Sequence, residues 1–173
     1  FLLRAVFRSG TGNSSRTVSL KIGVPMGASF TQVAPRTDKP LVFYGTSITH
    51  GACASRTGMP HPALLGRRLS RPVINLGFSG NGKMEPEVAQ LLAEIDAAVY
   101  VIDCLPNCTA AEVTERTAPL VNILRKSHPT TPIVLVEDRT YADAFLVRER
   151  ANRNSSSRKA LRAEYEKLLA AGA

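Results

Sequence analysis

The run LVFY at residues 41–44 leads directly into the turn GTSITHG at residues 45–51. Four consecutive apolar residues, rich in β-branched and aromatic side chains, are typical of a strand that is buried on both faces of a sheet. Similar runs follow as VINLGF at 73–78, AVYVI at 98–102 and IVLV at 133–136. The sequence therefore predicts four buried strands, and the first of them ends in a serine-bearing turn.

Segments with helical spacing lie between and after these runs. Glu87–Ile95 and Thr109–Lys126 each place their apolar residues on one side, and Ser155–Leu169 forms a last predicted helix. The second segment begins with Thr109 and has Glu112 three residues later, which is a capping-box pattern. Strands and helices that alternate in this way predict an α/β fold of three layers, α/β/α, in which helices cover both faces of a parallel sheet.

The first 38 residues have a different pattern. Two alternating stretches, Phe1–Arg8 and Arg16–Val24, are separated by a loop rich in Gly, Asn and Ser, and this arrangement predicts a β-hairpin. Three prolines between residues 25 and 40 indicate a linker. We therefore predict that residues 1–38 are the remnant of an N-terminal β-rich domain with its linker, and that residues 39–173 form the α/β domain.

Composition excludes several classes of protein. With 44% hydrophobic and 21% charged residues, the chain is predicted to be globular, and it has no apolar run long enough to span a membrane. The net charge of +8 is dispersed and lacks interleaved aromatic residues, which argues against nucleic-acid binding. Three cysteines and three scattered histidines predict neither a disulfide scaffold, nor a metal site, nor any cofactor. Cys104 and Cys108 are close enough in sequence to bridge, and their redox state is left open.

Chemistry in a parallel sheet is expected in the loops after the carboxyl ends of the strands. After the first strand, Ser47 lies in a sharp turn that exposes a hydroxyl beside backbone N–H groups. After the second strand, three glycines in NLGFSGNG, residues 75–82, permit a ligand to approach the main chain. After the third strand, Asn107 follows a proline and is placed to donate its side-chain amide. Each of these loops, taken alone, is also ordinary turn chemistry.

Taken in order, the three loops resemble those of the SGNH (GDSL-like) serine esterase family, over about residues 40 to 138. The usual Gly-Asp-Ser of that family is Gly-Thr-Ser here. The resemblance implies a flavodoxin-like sheet in which Ser47 is the nucleophile. It also implies that the backbone N–H groups of Ser47 and Gly80 and the amide of Asn107 form the oxyanion hole.

The resemblance further implies a general-base histidine in an Asp-x-x-His pattern near the end of the domain. None of His50, His61 and His128 has an aspartate three residues before it. A fifth strand after the last helix, which the family fold implies, is also not predicted. We therefore expect an incomplete hydrolase domain that lacks its C-terminal strand and Asp-x-x-His segment, and that is nearly inactive in this form.

The predicted function is hydrolysis of a small-molecule or glycan acyl ester, and the N-terminal β-rich segment favours a carbohydrate deacetylase by analogy with family members. Met59, His61 and Phe78 are candidate walls of the substrate pocket, although core packing is the favoured role for Phe78. Two alternatives remain open: a non-catalytic glycan- or ester-binding module, and a flavodoxin-like FMN-binding protein. The resemblance implies a secreted or periplasmic location, and the sequence leaves the oligomeric state open.

Overall fold

The computed structural model describes residues 2–9, 15–29 and 31–173 of the chain. These residues form two compact units, Phe1–Arg36 and Thr37–Ala173. In the first unit, strands β1 (Leu2–Ser9) and β2 (Ser15–Gly23) pair antiparallel, with an irregularity between Val6 and Phe7. The tip of the predicted hairpin, residues 10–14, lies outside the described residues.

A four-stranded parallel sheet forms the centre of the second unit. Its strands are β3 (Leu41–Gly45), β4 (Val73–Gly77), β5 (Val99–Asp103) and β6 (Ile133–Leu135). They are arranged in the order β4-β3-β5-β6. The predicted α/β fold with a parallel sheet is therefore confirmed. Because the chain leaves β3 towards β4 but leaves β5 towards β6, the loops after β3 and β5 lead away in opposite directions, and in parallel sheets this point at the carboxyl edge is where ligands bind.

Burial differs between the central and the edge strands. All five residues of β3 are buried. The edge strand β4 is only half-buried, and Val134 in the other edge strand, β6, is 46% exposed. The prediction that every strand is buried on both faces is thus correct for the centre of the sheet and wrong for its edges, because no described strand pairs with the outer side of β4 or of β6.

Five α-helices accompany the sheet: α1 (Ser47–His50), α2 (His61–Arg68), α3 (Pro86–Leu92), α4 (Ala110–Ser127) and α5 (Arg148–Ala170). The predicted capping box is present, since Thr109 caps α4 and accepts a hydrogen bond from the Glu112 N–H. Helix α5 begins at Arg148, so the predicted start at Ser155 is wrong. The sequence did not indicate the first two turns because they are polar and carry no apolar periodicity. None of the described helices has the length and apolarity that crossing a bilayer requires.

The main core lies between the sheet and helices α3, α4 and α5, with α3 packed on α4 and α4 on α5. Its members are buried apolar side chains, among them Val42, Tyr44, Leu92, Tyr100, Ile102, Val113, Leu120, Leu124 and Leu161. This packing fixes the strands and so fixes the starting point of each loop at the carboxyl edge. The 3-10 turn Leu105–Asn107 follows β5 at that edge.

Candidate active site

The turn after β3 is fixed by its own threonines. Thr46, which is extended and fully buried, accepts a hydrogen bond at Oγ1 from the Ile48 N–H, at 3.3 Å. In return, the Thr46 N–H donates to Thr49 Oγ1, also at 3.3 Å. Ser47 is therefore the first residue of helix α1 and is half-buried. Among the described residues nothing hydrogen-bonds to its hydroxyl, which leaves Oγ available to a ligand.

The glycine loop after β4 packs tightly against this serine turn. The Phe78 N–H donates to the Gly45 carbonyl at 2.9 Å. Gly82 adopts φ +69°, and a Cβ at this position would lie 2.1 Å from the same carbonyl oxygen. A Cβ on Gly77 would lie 2.2 Å from the His50 backbone nitrogen. The chain therefore needs glycine at 77 and 82 in order to bring the second loop against the first.

Gly80 differs from these neighbouring glycines. It also has a positive φ, +71°, but a Cβ there would meet nothing within 4 Å. Gly80 is exposed. Its role is therefore not close packing, and its surroundings leave room for a ligand.

The asparagine loop after β5 is joined to the glycine loop. Asn107 Nδ2 donates a close hydrogen bond to the Asn81 carbonyl and lies 3.5 Å from the Phe78 carbonyl. Because the Phe78 N–H also binds the Gly45 carbonyl, one loop links the other two. The structure thus places Ser47, Gly80 and Asn107 in three loops that contact one another at the carboxyl edge of the sheet.

A buried carboxylate lies beneath these loops, and sequence reasoning did not assign it a role. Asp103, the last residue of β5, has a side chain that is 1% exposed. Thr49 Oγ1 donates to its Oδ2 at 2.9 Å, and Arg139 Nη2 donates to both oxygens at 2.8 and 2.6 Å. His61 Nε2 lies 3.4 Å from Oδ2. One feature of the sequence could have indicated this role: Asp103 is an acidic residue at the end of an otherwise apolar strand.

This network keeps Asp103 ionised. Burial acts to raise the pKa of the Asp103 carboxyl, but the contact with His61 and the hydrogen bonds from Arg139 and Thr49 outweigh it, and the pKa lies below its ordinary value. Since Thr49 also binds the Thr46 N–H, the carboxylate supports the serine turn through one intervening hydroxyl.

We expect Asp103→Asn to lower the free energy of unfolding by about 2–3 kcal/mol at neutral pH, because it leaves the Arg139 charge without its carboxylate. The value is below that of a fully buried pair, since the Arg139 side chain is 37% exposed. A carboxyl whose folded-state pKa is lowered stabilises the fold above its ordinary pKa of 3.8. That contribution is lost as the pH falls through the lower, folded-state pKa, so the difference between the two proteins should narrow in acid.

Urea unfolding of both proteins at several pH values measures this difference. Asp96→Asn is the matched control, because Asp96 pairs with Lys39 at 2.7 Å on the surface, with side chains that are 63% and 56% exposed. We expect that substitution to cost less than about 1 kcal/mol. Equal effects of the two substitutions would contradict a structural role for Asp103.

A cavity of about 230 Å³ opens beside Ser47. Its lining residues are Ser47, Ile48, Gly51, Ala52, Cys53, Ala54, Met59, Pro60 and His61. Met59 and His61 therefore lie where the sequence predicted pocket walls. Phe78 does not line this cavity: it is 41% exposed and contacts the Tyr44 ring edge-on. Its predicted place in the core is wrong, because the glycine loop carries it to the surface, while its predicted place in a pocket wall stays a prediction.

The three histidines have different surroundings. His61 lines the cavity of Ser47, whereas His50 is exposed and is not among the cavity residues. His128 Nε2 lies 2.9 Å from the Ala93 carbonyl, and His128 follows α4, just before β6 begins. It thus lies at the amino ends of the strands, whereas Ser47 lies at their carboxyl ends.

Larger clefts lie elsewhere, along α5. One of about 570 Å³ borders β6, and another of about 340 Å³ is lined in part by Arg158, Lys159 and Arg162. Neither contains Ser47, and neither Gly80 nor Asn107 lines these clefts or the cavity beside Ser47. Size alone therefore does not identify the site here. In the described residues no three metal-ligating side chains come together.

Cys104 and Cys108 flank the asparagine turn as free, buried thiols, so a disulfide between them is not present. Burial raises the pKa of Cys104 well above its ordinary value and that of Cys108 to about 12. Both side chains are therefore neutral, and they act as small apolar residues beneath the turn.

Comparisons with known proteins agree with the fold described above. The sequence profile of the GDSL-like Lipase/Acylhydrolase family matches residues 38–173. A solved structure described as a GDSL-like lipase from Bacteroides ovatus is 38% identical, with a TM-score of 0.86. That match covers 91% of this chain and 47% of the Bacteroides protein, so the chain spans about half of that protein's length.

Two further solved structures share the fold at lower identity. A salicylyl-acyltransferase from a tetracycline biosynthetic pathway has a TM-score of 0.61 at 22% identity, covering 77% of this chain and 41% of its own. A protein described as lipolytic and of the G-D-S-L family, from Desulfitobacterium hafniense, has a TM-score of 0.55 at 19% identity, covering 75% and 73%. No curated protein matches the chain significantly.

Proposed function

Because this chain belongs to the GDSL-like lipase/acylhydrolase family over residues 38–173, we propose that it is a serine ester hydrolase that acts through Ser47. In the proposed reaction, Ser47 Oγ attacks the carbonyl carbon of an acyl ester and the alcohol leaves with a proton, giving an acyl-enzyme. The backbone N–H groups of Ser47 and Gly80 and the amide of Asn107 hold the oxyanion. Water then releases the acid.

One observation carries the proposal: Ser47 Oγ is free at a cavity, in a turn that is joined to the glycine loop and through it to the asparagine loop. The Phe78 N–H ties the glycine loop to the serine turn, and Asn107 ties its own loop to the glycine loop. These bonds join protein groups to one another, which supports a preorganised arrangement of the loops. Preorganised donors are what stabilises an oxyanion as it forms.

We further propose that the 173 residues alone are a weak catalyst. The sequence contains no Asp-x-x-His pattern to activate the serine. In triad enzymes, binding and the oxyanion hole alone retain about 10³–10⁴ of rate enhancement over water. Acylation by an activated ester should then still occur, while deacylation, which also needs a base, is slow.

If acylation is faster than deacylation, the acyl-enzyme accumulates and can be detected. After incubation with p-nitrophenyl acetate and acid quenching, peptide mass spectrometry should find one acetyl group on Ser47. Ser47→Ala should lack it. Ser55→Ala, which changes an exposed serine farther along the same segment, should retain it.

Acetylation that is unchanged in Ser47→Ala would contradict the proposed nucleophile. Binding of an acetylated sugar without any acetyl-enzyme would instead favour the non-catalytic binding module. The carbohydrate deacetylase specificity is a finer part of the proposal, and comparing acetylated sugars with simple acetate esters in the same assay tests it.

A further inference from the structure

The turn between strand β6 and helix α5 holds two large apolar side chains in solvent. Residues 141–147 are held by backbone hydrogen bonds, since the N–H groups of Leu146 and Val147 donate to the Asp143 carbonyl at 3.0 and 2.9 Å. Phe145 is 83% exposed and Leu146 is 76% exposed, whereas the next large apolar side chain among the described residues of the second unit, Leu91, is 62% exposed. Single exposed apolar residues are common, but two adjacent ones on a fixed turn are typical of a binding surface.

Basic side chains lie on both sides of this turn along the chain. Residues 139–162 contain seven Arg and Lys residues but two acidic ones, Asp143 and Glu149. Three of the seven are paired with carboxylates, in the pairs Arg139–Asp103, Arg150–Asp143 and Arg162–Glu137. The other four have no carboxylate partner in the part of the chain that the structure describes; they are Arg148, Arg153, Arg158 and Lys159. The surface around the turn therefore has an excess of positive charge.

Two clefts adjoin the turn, one on each side. Ala144, directly before Phe145, lines the cleft of about 340 Å³ whose walls include Arg158, Lys159 and Arg162. Val147, directly after Leu146, lines a second cleft of about 530 Å³ together with Tyr141, Glu149, Arg150 and Arg153. Arg153 also donates to the Pro106 carbonyl, so the second cleft borders the asparagine loop. The two exposed apolar residues thus lie between two basic clefts.

The combination of apolar tip and basic clefts selects the kind of partner. A soluble polyanion would pair with the cations but would leave Phe145 and Leu146 in water. A neutral apolar partner would cover these two side chains but would leave the cations without a counter-charge. A layer of anionic phospholipid supplies both contacts, because its phosphate groups lie directly over its acyl chains.

We propose that residues 139–162 form a peripheral binding surface for anionic phospholipid, in which Phe145 and Leu146 enter the acyl region and the cations of the two clefts contact headgroup phosphates. Such binding needs no helix that spans the bilayer. It involves none of the residues proposed for ester hydrolysis, so it holds or fails independently of that function. Because the second cleft borders the asparagine loop, the bound lipid lies close to the carboxyl edge of the sheet.

Sedimentation of the intact protein with vesicles tests the proposal. We expect binding to an equal mixture of phosphatidylcholine and phosphatidylglycerol, and at least about tenfold weaker binding to phosphatidylcholine alone, because each basic residue near an anionic surface contributes about fivefold. Raising the salt concentration from about 0.1 to about 1 M should also weaken binding to the mixed vesicles, since the Debye length falls from about 10 to about 3 Å.

Leu146→Ser should lower the vesicle partition coefficient about tenfold, because a leucine side chain that leaves water for an apolar phase contributes at least that factor. Leu91→Ser is the matched control. Leu91 is also a highly exposed leucine, but it lies on α3, which packs on α4, whereas α4 packs on α5. We expect the control to change the coefficient less than about twofold. Both side chains are mostly in solvent, so both variants should stay folded, and circular dichroism checks this.

Lys159→Gln tests the charge separately and should lower the partition coefficient about fivefold. Its control is Lys126→Gln, because Lys126 is exposed near the end of α4, at the amino ends of the strands. This control should change the coefficient less than about twofold.

Equal losses in Leu146→Ser and Leu91→Ser, or equal binding to the two kinds of vesicle, would overturn the proposal. Absence of vesicle binding would also overturn it. Retention on heparin that Leu146→Ser leaves unchanged would then indicate a soluble polyanion, and self-association that Leu146→Ser abolishes would indicate a contact between copies of this chain. Ser47→Ala should bind the mixed vesicles as the unchanged protein does, whether or not esters are hydrolysed, and a loss of binding in that variant would contradict the independence of the two sites.

Discussion

In an active form of the protein that also has a general base, Asn107→Ala is expected to lower kcat for ester hydrolysis about 10²–10³-fold, which corresponds to about 3–4 kcal/mol of transition-state stabilisation. Asn107 Nδ2 carries two N–H groups. One makes the close bond to the Asn81 carbonyl, while the Phe78 carbonyl, at 3.5 Å, is at the weak limit of hydrogen bonding. The second N–H is therefore only weakly bonded within the protein, so donating it to an oxyanion gives up little. Steady-state kinetics with p-nitrophenyl acetate measure the effect.

The same substitution removes the bond between the asparagine and glycine loops. That loss should cost about 1 kcal/mol of folding stability, the usual net worth of one hydrogen bond. Asn81→Ala is the control, because Asn81 contributes its backbone carbonyl, which the substitution keeps. We expect it to change kcat less than about twofold, since the donor to the oxyanion is intact. A decrease of less than about fivefold in Asn107→Ala would remove Asn107 from the oxyanion hole.

Much of the fold could be predicted because its signals are local. Continuous apolar runs placed all four strands of the parallel sheet, and the capping box placed the start of α4 one residue before the observed Ala110. Each signal depends on neighbours along the chain. The burial of the edge strands was predicted less well, because it depends on which strands pair.

Helices α2 and α5 show the limit of periodicity. Helix α2 begins at His61 between two prolines, and Leu64 and Leu65 within it are 42% and 38% exposed, so its apolar pattern is weak. The first turns of α5 are polar, and several of their side chains bind groups outside the helix. Arg153, for example, donates to the Pro106 carbonyl in the asparagine loop. Such contacts join residues far apart in sequence, and no local pattern reports them.

The sequence predicted the three loops of the candidate site, but it did not predict the hydrogen-bond network of Asp103 that lies beneath them. Ser47, Gly80 and Asn107 follow strands whose order could be inferred, and their roles remain predictions. Asp103 joins Thr49, His61 and Arg139 from three other segments of the chain. Only the register of β5 beside β3 brings these groups together, with Gly45 opposite Asp103. These residues are far apart in the sequence, and no local pattern relates them.

Gly82→Ala is expected to lower the free energy of unfolding by about 3–5 kcal/mol, the sum of the left-handed backbone penalty and a severe overlap. The added methyl group would lie 2.1 Å from the Gly45 carbonyl oxygen, which is backbone and follows the buried strand β3. It cannot move aside as the end of a flexible side chain would. Urea unfolding measures the change, and a retained slope with a lower midpoint would identify it as a loss of stability.

Gly80→Ala separates the two causes. Gly80 has almost the same φ, +71°, but a methyl group there meets nothing within 4 Å. It should cost only the backbone penalty, about 1–2 kcal/mol, and it keeps the Gly80 N–H in place for catalysis. The difference between the two variants is therefore the cost of forcing the methyl group against the Gly45 carbonyl, which reports how tightly the glycine loop packs on the serine turn. Equal losses of stability in Gly80→Ala and Gly82→Ala would mean that this packing is loose, and the proposed preorganisation of the oxyanion hole would lose its structural basis.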